Sequence, residues 1–249
     1  QLLISPKDVV LVGNIGNYAA NMLFQQAGAT IKTIPVDANG LDVRSIEEIA
    51  KKTKIRCIYL NSNRHYPNTN SLSAERRLQL LVLARKMQFA IIEDDFDYDF
   101  QFDGPPILPM ASSDTDGLII YLGKLGQSFF PSFQTGFVVA PENFILEAKN
   151  YLQMLDSKGD LIQEQVLAAL IHEGEIHRLL KKNTVVYKKR RDAMCLALDT
   201  HFHDIIEFEK PNGGLALWIL FKTHISLVQL AEKTKKMGLF LPKTLLYQD

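Results

Sequence analysis

The segment Glu93–Asp99 holds the densest set of reactive side chains in the sequence, with acids at positions 93, 94, 95, 97 and 99. Carboxylate oxygens suit Mg²⁺ or Ca²⁺. Alternatively, one buried aspartate could form a charge-assisted hydrogen bond with a cationic ring nitrogen. Side chains alternate along an extended strand, so these carboxylates would not all converge, and their spacing is not that of a calcium loop. A metal site is therefore disfavoured. A third interpretation is that the acids solvate a loop and cap helix ends.

Two further segments place polar residues directly after apolar runs, namely Asn61–Pro67 and Gly123–Ser128. In open α/β sheets ligands bind beyond the carboxyl ends of the strands, so all three segments are candidates for one site. The sequence has no Gly-x-Ser-x-Gly elbow, no Gly-x-Gly-x-x-Gly after a strand and no Cys/His cluster. Hydrolase chemistry, a dinucleotide cofactor and structural zinc are therefore unsupported.

The elements that would position these segments alternate between strands and helices. Short apolar runs predict strands, and apolar residues at helical spacing predict helices. The predicted strands are 9–12, 30–36, 55–60, 89–92, 118–122 and 136–140, and the predicted helices begin at 18, 41, 73 and 141. In the helix from position 73, the predicted buried residues are Leu78, Leu81, Val82 and Ala84. The alternation predicts an α/β fold with a mainly parallel sheet flanked by helices.

From position 161 the pattern changes to helices followed by short strands, which predicts part of a small α+β domain. We place the large domain at 1–174 and the partial small domain at 175–249. A helix predicted over 176–198 carries the basic residues Lys181, Lys182, Lys188, Lys189, Arg190 and Arg191. We interpret this basic run as a solvated face rather than a nucleic-acid surface. Gly213-Gly214 is interpreted as the turn that enters a strand over 215–221.

The composition excludes several classes of protein. The 249 residues include 28 Lys+Arg and 28 Asp+Glu, and this neutral balance argues against binding to a phosphate backbone. A hydrophobic share of 47% excludes a disordered or fibrous chain. No apolar run approaches the ~20 residues of a membrane span, and the N-terminus lacks a signal-peptide pattern. We expect no membrane partner and a cytoplasmic location, with Cys57 and Cys195 as buried thiols rather than one long-range disulfide.

Four motifs follow one another along the chain: Gly40-Leu41-Asp42-Val43, then His65-Tyr66-Pro67, then the stretch 91–104, and then Tyr121-Leu122-Gly123 with Phe130-Pro131 and Gly136. Together they resemble the GLDV turn, the HQYPTG loop, the cofactor-aspartate stretch and the YLGTFSKTLFPxLRLGY segment of MocR regulators. These are GntR-type bacterial transcription factors whose C-terminal half resembles a fold-type-I enzyme of pyridoxal 5′-phosphate (PLP). The similarity runs from about Pro6 to His203 and weakly beyond.

The resemblance implies the fold of a PLP-dependent transferase large domain and roles for two residues. Asp94 matches the aspartate that keeps the pyridine nitrogen of PLP protonated, which makes PLP an electron sink. Tyr66 matches a loop tyrosine that lines the cofactor pocket. The resemblance also implies a homodimer with the pocket near the subunit interface.

Departures from the family pattern decide the predicted chemistry. Gln127 occupies the position of the lysine that bonds covalently to PLP, and its separation from Asp94 agrees with the family spacing. A carboxamide nitrogen is delocalised into its carbonyl and cannot attack as an amine does, so transamination should be absent. We expect Lys124, which leaves the strand on a different side from position 127, to be a surface lysine or a phosphate partner rather than a substitute amine.

Other pocket positions depart from the family pattern in the same direction. Asn17 replaces an aromatic residue, and Phe96 replaces a tyrosine that would bond the phenolic oxygen of PLP. Lys124 and Gly126 replace hydroxyl residues that would face the phosphate. Ser128 replaces a threonine, and Gln134 replaces an arginine. The family's phosphate-cradling helix start, its final substrate-binding arginine and its winged helix-turn-helix also lie outside this sequence.

The sequence therefore predicts a degenerate aminotransferase-like domain with no catalytic residue and no metal site. We expect it to be the effector-sensing or dimerising half of a MocR/GntR-type regulator that contacts DNA only through a domain absent from this chain. PLP would bind weakly and without a covalent bond, if at all. Two alternatives remain open: an active PLP-dependent aminotransferase in which Gln127 is engineered or atypical, and a cofactor-free dimerisation scaffold.

Overall fold

The computed structural model describes residues 2–125, 135–157 and 159–241. Its strands are β1 (Val9–Gly13), β2 (Thr30–Ile34), β3 (Val36–Asp37), β4 (Gly40–Leu41), β5 (Ile55–Leu60), β6 (Ala90–Asp95), β7 (Ile119–Leu125), β8 (Thr135–Val139), β9 (Ile206–Phe208) and β10 (Ile219–Phe221). Its helices are α1 (Tyr18–Gln26), α2 (Val43–Lys52), α3 (Ala74–Met87), α4 (Glu142–Met154), α5 (Leu161–His172), α6 (Glu175–Phe202) and α7 (Leu227–Lys236), and Met110–Ser113 form a short 3-10 helix.

Six strands form one sheet in the order β2-β1-β5-β6-β7-β8. All neighbouring pairs are parallel except β7 and β8, which are antiparallel. The predicted α/β fold with a mainly parallel sheet is thus confirmed. Two antiparallel pairs, β3-β4 and β9-β10, lie outside the sheet.

The two faces of the sheet pack in separate apolar clusters because successive side chains of each strand point in opposite directions. On one face Ile58 and Ile91 pack with Ile46 of α2 and Leu80 of α3. On the other, Cys57 and Tyr59 pack with residues of α1, and we call this the α1 face. Burial raises the pKa of the Cys57 thiol to about 12. Cys57 and Cys195 are both free and buried, as predicted.

Polar side chains mark the starts of the helices by accepting hydrogen bonds from the first free backbone N–H groups. The capping residues are Asn17 for α1, Asp42 for α2, Ser73 for α3, Asp160 for α5 and Ser226 for α7. These caps confirm the predicted helix starts near positions 18, 41 and 73. The helix predicted to begin with Pro141 in its first turn starts one residue later, and Pro141 is its N-cap.

The predicted buried face of α3 is wrong for two residues. Leu80, Leu83 and Ala84 are its buried positions, whereas Leu78 and Val82 are each 65% exposed. The helix carries two apolar stripes, and the spacing 78/82 suits a helical face as well as 80/83/84 does. Only the packing against the sheet decides which stripe lies inside.

Three other predictions need correction. The strand predicted over 30–36 ends at Ile34, because Pro35 has no N–H to donate and the chain then enters β3. The strand predicted over 215–221 is confined to Ile219–Phe221. The solvated-face interpretation of α6 holds for Lys181, Lys182, Lys189 and Arg190, but Arg191 is buried.

The domain boundary predicted near Gly174 stays a prediction; Gly174 lies between α5 and α6 with a φ of 74°. Within the described ranges, no helix combines the length and apolar character that a membrane span needs.

We expect Leu80→Ala to lower the free energy of unfolding by about 2–5 kcal/mol, because it leaves a cavity where a fully buried side chain packed. Leu78→Ala is the matched control on the same helix and should change stability by less than about 0.5 kcal/mol. Urea unfolding of both variants checks this. Equal losses, or a larger loss for Leu78→Ala, would contradict the packing of α3.

Candidate functional site

The acidic segment is the C-terminal end of β6 and the loop that follows it, and its side chains alternate between the two faces of the sheet. Glu93 is 0% exposed. Its carboxylate accepts hydrogen bonds from the Ser62 hydroxyl and from the backbone N–H groups of Met110 and Ala111, the latter two at 2.8 and 2.9 Å. Glu93 therefore holds the start of the 3-10 helix against the sheet and is not free to bind a ligand.

Asp95 points to the same side as Glu93 and is also buried. The Asn63 side-chain amide donates to its carboxylate at 2.8 Å, and the Tyr121 hydroxyl lies at 3.5 Å. Burial raises the pKa of Asp95 to about 6, despite the opposing charge of Arg64. Asp95 thus joins the loop after β5 to strand β7.

Asp97, and Asp103 further along the same loop, contact the C-terminal part of the chain. Asp97 pairs with Arg64 at 3.2 Å and accepts a hydrogen bond from the Leu215 backbone N–H at 3.2 Å. Asp103 pairs with Lys188 at 2.7 Å and with Arg191 at 2.6 Å. Loop solvation therefore fails as an interpretation for residues 93, 95 and 97, whereas the helix-capping part of that interpretation describes Glu93, which accepts from the first N–H groups of the 3-10 helix.

Asp94 differs from its neighbours because it faces the α1 side. The Tyr59 hydroxyl donates to Asp94 Oδ2 at 2.5 Å, and the Asn17 side-chain amide donates to the Tyr59 oxygen at 3.2 Å. The Asn61 side-chain amide donates to the Asp94 backbone carbonyl. Among the described residues, none hydrogen-bonds to Asp94 Oδ1. One carboxylate oxygen is thus fixed in place by a phenol from the neighbouring strand.

Opposing effects set the pKa of Asp94. Burial raises it, whereas the Tyr59 hydrogen bond and the charge of Lys124 lower it. Burial and the adjacent Asp94 also raise the pKa of Tyr59, so this phenol stays protonated and remains a donor. Because burial is the largest of these effects, the pKa of this partly buried carboxyl group lies above its ordinary value.

Lys124 lies on the same face of the sheet as Asp94. Asp94 pairs with Leu122 in the β6-β7 register, and Lys124 follows two residues later on the exposed end of β7. Residues two apart on a strand share a face. An acidic and a basic side chain therefore lie near the C-terminal ends of two neighbouring strands, both on the α1 side.

Two aromatic rings come from the loops that follow β5 and β6. Tyr66 and Phe96 meet edge to face, with ring centroids 5.9 Å apart and planes at 79°. The peptide bond before Pro67 is cis. Next to it, His65 Nε2 donates to the Ile15 carbonyl at 2.7 Å, and burial lowers the pKa of His65, which keeps it neutral.

The structure thus brings together four of the predicted or noted pocket residues, namely Asn17, Tyr66, Asp94 and Phe96, with Lys124 at the exposed end of the adjacent strand. Gln127, Ser128 and Gln134 lie outside the described residues. Tyr59 was not predicted. The sequence feature that could have identified Tyr59 is a tyrosine near the end of a buried strand, two residues before the polar Asn61.

A separate polar cleft of about 330 Å³ lies between the loops after β5 and β6 and the segment 209–213. Arg64, Gln101 and Lys210 are among its lining residues, and Asp94 is not. In the described ranges, no group of three His, Cys, Asp or Glu side chains is arranged to hold a metal ion.

Comparison with known proteins places both enzymes and regulators among the homologues, although no protein-family model matches the chain. Aromatic-amino-acid aminotransferase 1 of Thermococcus litoralis is 27% identical over 96% of this chain and 58% of its own length. The uncharacterised HTH-type regulator YdfD of Bacillus subtilis is 26% identical over 88% of this chain and 45% of its own length. The probable rhizopine catabolism regulatory protein MocR of Rhizobium meliloti is 25% identical over 87% and 43%.

Solved structures confirm the fold. Kynurenine aminotransferase of Pyrococcus horikoshii superposes with a TM-score of 0.90 at 26% identity, over 99% of this chain and 62% of that chain. An archaeal alanine:glyoxylate aminotransferase gives 0.91 at 27% identity, over 100% and 63%. The chain spans less than two thirds of these relatives. Its α/β fold is that of the aminotransferases, and the aminotransferase-like character predicted from the motifs is confirmed.

We expect the stability of the protein to carry a pH dependence from Asp95. Its pKa is raised from 3.8 to about 6 on folding, so between these values the folded state holds a proton that the unfolded state has lost. This contribution to the unfolding free energy therefore falls as the pH rises through that window, by about 1–3 kcal/mol. Asp95→Asn cannot ionise and should gain this amount relative to wild type between pH 4 and pH 7, measured by urea unfolding at a series of pH values.

The control is Asp116→Asn, which removes an exposed acid paired with Arg85. Parallel pH profiles for wild type and Asp95→Asn would show that Asp95 does not titrate in this window.

Proposed function

We propose that this chain is an aminotransferase-like domain that binds PLP weakly and without a covalent bond, carries out no transamination, and serves as the effector-sensing and dimerising part of a MocR/GntR-type regulator. One observation carries this proposal. Asp94 is the acid of its segment that faces the α1 side with one oxygen unengaged by any described residue, while the sequence has glutamine at position 127. The pocket keeps a partner for a cationic ring and lacks the amine for covalent attachment.

The described residues fit PLP. Asp94 would hold the pyridine nitrogen, because its carboxyl group, positioned by the Tyr59 hydroxyl, could form a charge-assisted hydrogen bond with a protonated ring. Lys124, which shares the face of Asp94, would pair with the phosphate. The Tyr66 and Phe96 rings would exclude water from the ring edge. PLP, when bound, supplies an electron sink for carbanions.

Loss of the amine supports the absence of transamination. Attack on a carbonyl needs a nitrogen with a free electron pair, and the Gln127 nitrogen shares its pair with the adjacent carbonyl. The competing proposal of an active aminotransferase would need another lysine as the nucleophile. Lys124 is the lysine on the same face as Asp94, and we assign it an electrostatic role.

The regulator role is supported by the relatives. The regulators YdfD and MocR align with 88% and 87% of this chain, and the chain spans 45% and 43% of them. In a protein of that organisation DNA contact belongs to the remainder, which agrees with the neutral charge of this part. A small-molecule effector would then act at the Asp94 pocket, in the cytoplasm. The remaining competitor is a scaffold that binds no cofactor.

Titration with PLP tests the proposed function. Quenching of Trp218 fluorescence or calorimetry should show saturable binding to wild type, and Asp94→Asn should bind about 10- to 100-fold more weakly because a charge-assisted hydrogen bond is lost. Asp116→Asn, which removes an exposed acid elsewhere, should bind like wild type. After borohydride reduction, mass spectrometry should find no stoichiometric adduct.

Each alternative has its own outcome. A stoichiometric adduct on Lys124 or any other lysine would defeat the non-covalent proposal and support an active enzyme. Absence of saturable binding would support the scaffold. The variant Gln127→Lys tests whether the amine is the only missing part of the pocket. We expect no stoichiometric adduct in this variant either. The reason is that other pocket positions also depart from the family pattern, namely Phe96, Lys124, Gly126 and Gln134.

A homodimer is the second part of the proposal, and exposed apolar residues support it. On α5 the side chains of Leu161 and Ile162 are 66% and 74% exposed, and within the described chain Leu167 is the one buried residue of this helix. Leu155, between α4 and α5, is 58% exposed. Several strongly exposed apolar side chains close together in the sequence are what a surface that packs against another protein would supply.

We expect Ile162→Lys to shift the protein from dimer to monomer in sedimentation velocity, because a charge would enter the apolar contact. Leu78→Lys is the matched control: Leu78 is 65% exposed on α3, far along the chain from this surface, and its replacement should leave the dimer intact. A monomeric wild type, or dimers in both variants, would contradict the assignment of α5 to the interface.

A further inference from the structure

We propose that Gly213 and Gly214 form a joint that couples the Asp94 pocket to the C-terminal part of the chain, with Arg64 and Asp97 as positioning residues. This inference rests on the proposed function, since it assumes that the pocket binds a ligand. We call the joint the glycine seat: Gly213, Gly214 and the backbone of residues 100–103 against which they lie.

Backbone hydrogen bonds hold the seat together. The Gly214 N–H donates to the Phe100 carbonyl at 2.7 Å, and the N–H groups of Phe102 and Asp103 donate to the Asn212 carbonyl at 2.9 and 3.0 Å. Gln101 and Gly213 form an antiparallel bridge. The loop that leaves β6 is thus paired with the segment that leads to β10.

Only glycine fits the seat. A Cβ on Gly213 would overlap the Phe100 carbonyl oxygen and lie 2.8 Å from an Arg64 guanidinium nitrogen. A Cβ on Gly214 would lie 2.5 Å from Asp97 Oδ2, and the φ of Gly214 is +80°, which side-chain-bearing residues rarely adopt. The two glycines therefore do more than form a turn before a strand: they allow the backbone to lie directly against the loop after β6.

Arg64 and Asp97 connect the seat to the pocket. The Arg64 side chain is 9% exposed and donates to the carboxylate of Asp97, to its backbone carbonyl and to the Gln101 side chain. The other oxygen of Asp97 accepts the Leu215 N–H. Asp97 lies three residues after Asp94, and Phe96 between them contacts Tyr66 of the pocket.

Helix α6 is fastened to the same loop. Arg191 donates to Asp103 at 2.6 Å and to the Pro211 carbonyl at 2.7 Å, and its guanidinium lies 4.9 Å from the centroid of the Phe102 ring. The seat is therefore the place where α6, the segment 211–215 and the end of β6 meet.

This connection makes the coupling reciprocal. A ligand that orders the end of β6 would tighten the seat, and loosening the seat would lower the affinity of the pocket by the same factor. The C-terminal part would then report the occupancy of the Asp94 pocket to whatever contacts it.

Hydrogen exchange on the ligand-free protein tests the coupling. Gly213→Ala should displace the seat and accelerate amide exchange by about tenfold at residues 93–97 as well as at 211–216, with β1 and β2 unchanged. Gly238→Ala is the matched control, because Gly238 also has a positive φ (+84°) in the C-terminal part but nothing lies near its Cβ position. It should accelerate exchange only near α7.

A second measurement follows PLP affinity. Gly213→Ala and Arg64→Gln should weaken PLP binding by about three- to tenfold, whereas Gly238→Ala should leave it unchanged. Acceleration at 211–216 with wild-type exchange at 93–97 would overturn the inference, and so would acceleration spread evenly through β1 and β2. If the wild type does not bind PLP, the proposed function fails. The hydrogen-exchange pattern alone then tests whether the glycine seat couples residues 93–97 to residues 211–216.

Discussion

Successive side chains of a strand point to opposite faces of a sheet, and in β6 this geometric rule acts on consecutive carboxylates. Glu93 and Asp95 are turned inwards, where hydroxyl, amide and backbone donors offset the cost of burying them. Asp94 is turned to the α1 side, where a phenol fixes one of its oxygens. The contacts of the inward acids join the strand end to neighbouring elements, and they thereby set the position from which the outward acid projects.

The inward acids, with Asp97 and Asp103 farther along the loop, tie together parts of the chain that are distant in sequence. Glu93 holds the 3-10 helix, Asp95 the loop after β5, Asp97 the turn near Leu215, and Asp103 helix α6. A buried charge is tolerated only with partners, so each of these contacts constrains the element that supplies the partner. The end of β6 and the loop that follows it are consequently a centre of the tertiary structure.

How far the sequence predicts this arrangement differs from one feature to the next. Strands β1 and β5 and the caps of α1 to α3 follow from local patterns, because apolar runs and capping residues act over a few positions. The buried face of α3 and the burial of Arg191 depend on packing between remote segments, so local patterns miss them. Asp94 was identified through motif resemblance. Tyr59, its hydrogen-bond donor, was missed because a tyrosine in an apolar strand resembles ordinary core.

The Asn17 side chain has two roles, one in the fold and one beside Asp94. Its side-chain oxygen caps α1, while its amide group supports Tyr59. A substitution at position 17 would therefore weaken the start of α1 and remove a hydrogen bond from the donor of Asp94 at once. The helix end and the carboxyl group of β6 thus depend on a single amide side chain.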